Sequence, residues 1–167
     1  MAQRLRIDVA GGGPVGLTLA ILLQNRMKGR VRVRVFEPRW YRVQDRIAWR
    51  GADEGNVRRQ QVVTLQSSVW SLLPELLQKR LFQDGKFQEM WPYGPASPEH
   101  LGRPRNVPIR WVEDVCLAVT HDCPDVELVP EQYSLQHGLH DADALAICDG
   151  ARSATREFFL DRFGRPD

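Results

Sequence analysis

Ile7-Asp8-Val9-Ala10-Gly11-Gly12-Gly13-Pro14-Val15-Gly16 is the stretch on which the fold of this chain turns. Residues 4–10 alternate and then become apolar, as a strand does, and the run stops at Gly11. Pro14 to Met27 carries Val15, Leu17, Leu19, Ile21, Leu22 and Leu23 and predicts a largely buried helix. Val31 to Phe36 reads Val-Arg-Val-Arg-Val-Phe, a second strand with one buried face. Between strand and helix the glycines have separate tasks: Gly11 allows a tight turn, Gly13 lets backbone approach a pyrophosphate, and Gly16 lets the helix pack closely on the strand. The helix N-terminus, opened by Pro14, adds free N–H groups and a partial positive charge. Glu37 ends the second strand 21 residues beyond Gly16, where a carboxylate meets ribose hydroxyls. Residues 7–37 therefore predict a βαβ unit that holds a dinucleotide. A carboxylate at position 37 repels a 2′-phosphate, which disfavours NADP and leaves FAD and NAD.

The bulk numbers fit such a domain. The chain has 167 residues, 43% hydrophobic and 26% charged, with a mean hydropathy of −0.40, enough for one globular domain spanning 1–167. A net charge of +2, from 23 basic and 21 acidic residues, argues against nucleic acid or a membrane surface as partner. Arginines are nonetheless dense at Arg30, Arg32, Arg34, Arg39, Arg42, Arg46, Arg50, Arg58 and Arg59. They mark either a solvated surface or the rim of an anionic-ligand cleft, and Arg39, close after Glu37, is assigned to the cofactor. Cys116, Cys123 and Cys148 form neither a paired nor a metal-binding spacing, and with no long apolar run or signal peptide the sequence predicts a cytoplasmic protein.

Farther along, residues 38–58 lack periodicity and predict a loop that orders on ligand. Val62 to Leu65 predicts a short strand, and Ser67 to Phe82 a helix interrupted by Pro74. Five prolines and two glycines make 92–108 mostly loop. Ile109 to Thr120 is an amphipathic helix, with Trp111, Val112, Val115, Cys116 and Val119 on one face. Val126–Val129, Tyr133–Gln136 and Ala144–Cys148 predict strands, and Ala151–Phe163 a closing helix. Strands alternating with helices indicate α/β with a central parallel sheet and a short β-meander.

A second motif separates FAD from NAD. Asp149-Gly150-Ala151-Arg152-Ser153-Ala154-Thr155-Arg156 follows the apolar strand ending at Cys148. With the glycine motif upstream, the chain resembles the class A flavoprotein monooxygenases, the single-component FAD-dependent aromatic hydroxylases. The resemblance implies a Rossmann-like FAD-binding domain in which Asp149, Gly150, Ser153 and Arg156 lie near the FAD pyrophosphate. It also implies that Arg59 and Gln61, in a segment similar to the MICAL-like branch, sit near the cofactor, and that Arg110 faces FAD from a helix start. On the residues alone, Asp149-Gly150 is an ordinary turn, and Ser153 with Arg156 simply start a helix.

The resemblance covers about residues 5–165, only the first half of that family, without its substrate domain and its later Gly-Asp motif. It implies flavin reduction by NADH or NADPH and oxygenation of a small, aromatic substrate. On this reading the chain is the incomplete FAD-binding part of such an oxidoreductase, paired with itself or with a second chain that completes the sheet. A non-catalytic dinucleotide-binding module working through a protein partner, and an NAD-dependent reductase, are the rivals. Catalytic residues are unassigned. His137 and His140 lack companion ligands, so no metal is expected. The cluster Trp91, Pro92 and Tyr93 reads as packing before it reads as a substrate entrance.

Overall fold

The computed structural model describes residues 4–90, 102–134, 142–150 and 153–159. In chain order the elements are β1 (Leu5–Ala10), α1 (Pro14–Arg26), β2 (Val31–Phe36), β3 (Trp40–Val43), β4 (Arg46–Trp49) and a 3-10 turn at Val57–Gln60. There follow β5 (Val62–Leu65), α2 (Ser67–Trp70), α3 (Glu75–Leu81), β6 (Gln88–Glu89), β7 (Arg105–Pro108) and α4 (Ile109–His121). The last described elements are β8 (Val126–Val129), β9 (Ala144–Ile147) and α5 (Ala154–Phe158). The chain divides into two compact units, one of Met1–Trp49 with Thr120–Asp167 and one of Arg50–Val119.

The first unit is built on a four-stranded parallel sheet in the order β8-β2-β1-β9. Its centre follows from the alternation in β2. Val31, Val33 and Val35 are fully buried, and each contributes about 1.5–3 kcal/mol of apolar burial. Helix α1 offers Gly16, Leu17, Ala20, Ile21 and Gln24 as its buried face, and Val9 of β1 is likewise closed off from solvent. The intervening positions of the strands point to the other face. There Asp8, fully buried, takes a two-pronged ion pair from Arg34 at 2.8 Å on each oxygen. Toward the carboxyl ends of the strands that face becomes apolar, with Ala10, Phe36 and Tyr133 packed together. The expected α/β architecture with a central parallel sheet is thus present.

A small antiparallel hairpin, β3 with β4, follows β2, with Trp40 opposite Trp49. The sequence predicts a ligand-ordered loop here, and the structure corrects that. Trp40-Tyr41-Arg42-Val43 and Arg46-Ile47-Ala48-Trp49 each alternate, and Gln44 takes the left-handed conformation (φ 52°) that a tight connection requires. Periodicity is hidden because arginine occupies exposed strand positions as readily as loop positions.

The second unit holds a three-stranded antiparallel sheet in the order β5-β7-β6. Its core is Leu77, Leu81 and Val107, with Val112, Val115 and Cys116 on the buried face of α4. Pro74 breaks the helical run into α2 and α3 as expected, since proline removes an N–H and clashes with the preceding turn. Residues 105–108 form β7 where loop is predicted. Pro108 sits at the strand end, so its missing N–H costs the ladder little. The guanidinium of Arg105 lies 4.1 Å from the Trp70 ring centre, 4.2 Å from Phe82 and 4.7 Å from Phe87, an aromatic cage around one cation.

Tyr133 and Ser134 are not in a strand, and the rest of that expected strand, with His137 and His140, lies outside the described residues. So do the cluster Trp91–Tyr93 and residues 151–152 and 160–163 of the expected closing helix. Among the described residues no helix is long and apolar enough to cross a membrane.

Candidate functional site

The carboxyl end of β1 is the natural place for a site, because ligands of open α/β sheets bind outside the carboxyl ends of the strands. Here three neighbouring strands, β2, β1 and β9, are stitched together at their ends. Gly11 N–H donates to Phe36 O at 2.9 Å, and Cys148 N–H donates to Ala10 O at 2.7 Å. Gly11 takes φ +100°, and a Cβ on it would lie 2.6 Å from the backbone of Asp149. Only glycine fits there, for conformation and for space together. The turn therefore brings Gly11 beside Asp149, while Asp149 and Gly150 themselves stay exposed.

Gly13 and Gly16 differ in what they face. A Cβ on Gly16 would enter the shell of the Gly11 carbonyl oxygen and come within 3.1 Å of Val9 Cγ1. Among the described residues, a Cβ on Gly13 meets only an Arg39 guanidinium nitrogen, at 3.5 Å. The protein interior thus demands Gly16 and leaves the position at Gly13 open. Gly13 caps α1 without a side-chain hydrogen bond, Pro14 opens the helix, and its first turn has no acidic residue. Helix N-terminal N–H groups need partners from outside the helix, and an anion is a natural one.

Glu37 is 4% exposed, and its two oxygens are fully engaged. Oε2 accepts from Gly12 N–H at 3.1 Å and from an Arg39 Nη at 3.0 Å. Oε1 accepts from Arg39 N–H at 3.0 Å and from its Nε at 2.8 Å. A carboxylate has about four lone-pair sites, so a ribose hydroxyl approaching Glu37 competes with Arg39. Arg39 in turn lies over Trp49, 4.9 Å from the ring centre. Trp49 packs edge-on against Trp40 at 5.5 Å, and Trp40 is fully buried beside Gly12, whose Cβ would strike its ring. The two tryptophans are the part of this site that sequence reading missed. Their signal is the alternation on either side of Gln44-Asp45, which places both on one face of a hairpin.

Ser153 is 2% exposed and caps α5, its Oγ accepting from Arg156 N–H at 2.7 Å. That is the helix-start role available to it from the residues alone. The Arg156 side chain is exposed. Burial, and then the Asp149 carboxylate, push the Cys148 thiol above its ordinary value. It stays protonated at neutral pH and is slow toward electrophiles. Alkylation of Cys148 by iodoacetamide at pH 7.5 is expected to run several-fold slower than that of free cysteine; an equal or faster rate would contradict its placement at the end of β9.

In the second unit, Arg59, Gln60 and Arg110 line one cavity of about 380 Å³ together with Gly51, Ala52 and Pro108. Arg59 is held by Glu113 at 2.8 Å and also pairs with Asp114. Glu113 is 1% exposed, so the pair is an interior one that fastens the 3-10 turn to α4. Arg110 is exposed at the first turn of α4. The Gln61 side chain is exposed too, and the Gln61 backbone carbonyl accepts the Ile109 N–H at 2.8 Å. Among the described residues no cluster of three or more His, Cys, Asp or Glu side chains is arranged to hold a metal ion.

No family model matches this chain, and no curated protein matches it. Nineteen chains of solved structures do. One is described as the structure of the Diels-Alderase PyrE3 in the biosynthetic pathway of pyrroindomycins. It superposes with a TM-score of 0.60 at 23% identity, over 91% of this chain and 34% of that one. The likeness is one of fold, and this chain spans about a third of the neighbour's length. It overturns the assignment to the class A aromatic hydroxylases, together with the monooxygenase function drawn from it: the scaffold recovered belongs to a Diels-Alderase, whose named activity is a different one. The glycine motif and the Asp149–Arg156 segment misled because they describe how a sheet end is built, and a fold carries many chemistries.

Proposed function

We propose that this chain binds the ADP portion of a dinucleotide at the β1–α1 turn, in a Rossmann-like arrangement, with FAD as the cofactor. The observation that carries the reading is the contrast between Gly16, which the interior requires, and Gly13, whose missing side chain makes room for nothing closer than an Arg39 nitrogen at 3.5 Å among the described residues. An open backbone position at an uncapped helix N-terminus suits the close approach of a pyrophosphate. The buried acid at the end of β2 holds the Arg39 guanidinium beside that position. Gly11, Gly13 and Pro14 form the phosphate end of this site and Glu37 with Arg39 the adenosine end. Asp149 and Gly150 border the turn. FAD, when bound, brings its own electron chemistry, and these residues hold only its ADP end. The scaffold likeness is one of fold and carries no reaction with it.

Incubation with excess FAD followed by gel filtration is expected to leave about one flavin per chain, released intact on denaturation. A colourless protein that still binds ADP would replace FAD by another dinucleotide. A protein that takes up neither overturns the reading.

A further inference from the structure

We propose that Arg39 determines base specificity at this site: its guanidinium is the plate on which the adenine ring stacks. The inference rests on the dinucleotide reading above and adds to it the residue that recognises the base.

Three observations converge on the guanidinium. The first is its fixed plane. Nε and one Nη of Arg39 bond both oxygens of Glu37, at 2.8 and 3.0 Å, a forked pair that leaves the group little freedom to tilt. The Glu37 carboxylate is buried and also tied to Gly12 N–H, so the clamp is anchored in the glycine turn itself.

The second is an aromatic support that ends at Arg39, with Trp40 edge-on to Trp49 beneath it. Trp40 is fully buried, Trp49 is 7% exposed, and the Arg39 side chain keeps 36% of its surface accessible. The rings meet at 5.5 Å, and the guanidinium lies 4.9 Å from the Trp49 ring centre. Two interior rings thus support an outer planar cation. A delocalised guanidinium stacks on aromatic faces as a lysine ammonium cannot, and an adenine ring is such a face.

The third is location. A Cβ at Gly13 would be 3.5 Å from an Arg39 Nη, so the plate flanks the backbone position where a pyrophosphate approaches. In a dinucleotide the base lies one ribose beyond the pyrophosphate, toward the acid at the end of the second strand. Arg39 is held by that acid. Glu37 then acts first as the clamp of the plate, with its four acceptor positions filled by Gly12 and Arg39.

Titration calorimetry with ADP and UDP as probes tests this. The wild-type chain is expected to bind ADP about tenfold tighter than UDP, the larger purine covering more of the plate. Arg39→Lys keeps the charge and loses the plane, and Arg39→Met loses both. Each should bring the two affinities within about twofold of one another. General damage to the site would weaken both ligands alike and keep their ratio. A tenfold ADP preference retained in Arg39→Lys overturns the proposal, as does a wild type that never prefers ADP. Should the variants fail to fold, nuclear Overhauser contacts between adenine protons of bound ADP and the Arg39 side chain decide it in the wild type. Their presence supports the plate, and their absence in an ADP-saturated sample overturns it. A wild-type chain binding neither probe instead removes the dinucleotide reading beneath it.

Discussion

Gly16→Val is expected to destabilise the first unit by about 3 kcal/mol or more, while Gly13→Val leaves its stability within about 1 kcal/mol of wild type and removes ligand binding. The two positions are three residues apart in one motif, and they differ in what surrounds them. At Gly16 a side chain runs into the Gly11 carbonyl oxygen and Val9 Cγ1. Neither can retreat, because β1 is paired along its length with β2 on one side and with β9 on the other, and native interiors are already close-packed. At Gly13 the backbone is extended, φ −67° and ψ −174°, a conformation open to any residue. Among the described residues its only near neighbour is the end of the Arg39 side chain, at ordinary contact distance. A valine there fills only the space proposed for the pyrophosphate. The expected loss in affinity for ADP is at least a hundredfold, equivalent to about 2.8 kcal/mol. Urea unfolding of both variants, with ADP calorimetry on the folded one, separates the two effects. Equal destabilisation by both would show that Gly13 is a packing glycine and nothing more.

Glu113→Ala is expected to cost the second unit about 3 kcal/mol, near the low end of the range for breaking an interior ion pair. Glu113 is almost wholly buried and accepts from Arg59 Nε at 2.8 Å, with Arg59 itself 12% exposed. Truncation leaves a guanidinium in the interior with less to hold it. The loss is moderated because Asp114, about half exposed, also pairs with Arg59. Glu113→Gln keeps an acceptor and should recover part of the loss. Urea midpoints of the three proteins check this, and a loss below about 1 kcal/mol for the alanine variant would show that Arg59 does not depend on the pair. The arrangement also bears on what Arg59 is for. An arginine held by a buried glutamate is a fastener between the 3-10 turn and α4, whatever else it touches.

Much of the first unit is legible from the chain because its signals are short in range and geometric. Val31-Arg-Val-Arg-Val35 alternates with the period of a strand, and the fully buried valines are the ones that alternation selects. The glycine spacing sets the turn, and Pro14 starts the helix. What is not legible depends on partners distant in sequence. Asp8 reads as one more strand residue until Arg34, 26 positions away, is seen to neutralise it. Glu37 reads as a ribose acceptor until Arg39 is seen to fill it. Its power to repel a 2′-phosphate is reduced by the same guanidinium, so the argument against NADP from Glu37 alone loses its force. The β3–β4 hairpin is hidden because Arg42 and Arg46 suggest solvent, and Trp40 and Trp49 give no hint that Trp49 packs beneath Arg39. The family resemblance failed in a different way. Its motifs correctly mark a parallel sheet with a glycine turn, and the fold likeness found is to a structure described as a Diels-Alderase.

The central claim is that the β1–α1 turn holds the ADP portion of a dinucleotide, and calorimetric titration of the wild-type chain with ADP, beside Gly13→Val, tests it most directly. Saturable binding at about one ADP per chain, absent in a Gly13→Val protein with an unchanged urea midpoint, is the predicted result. No heat of binding to the wild type, or equal binding to both proteins, would contradict it.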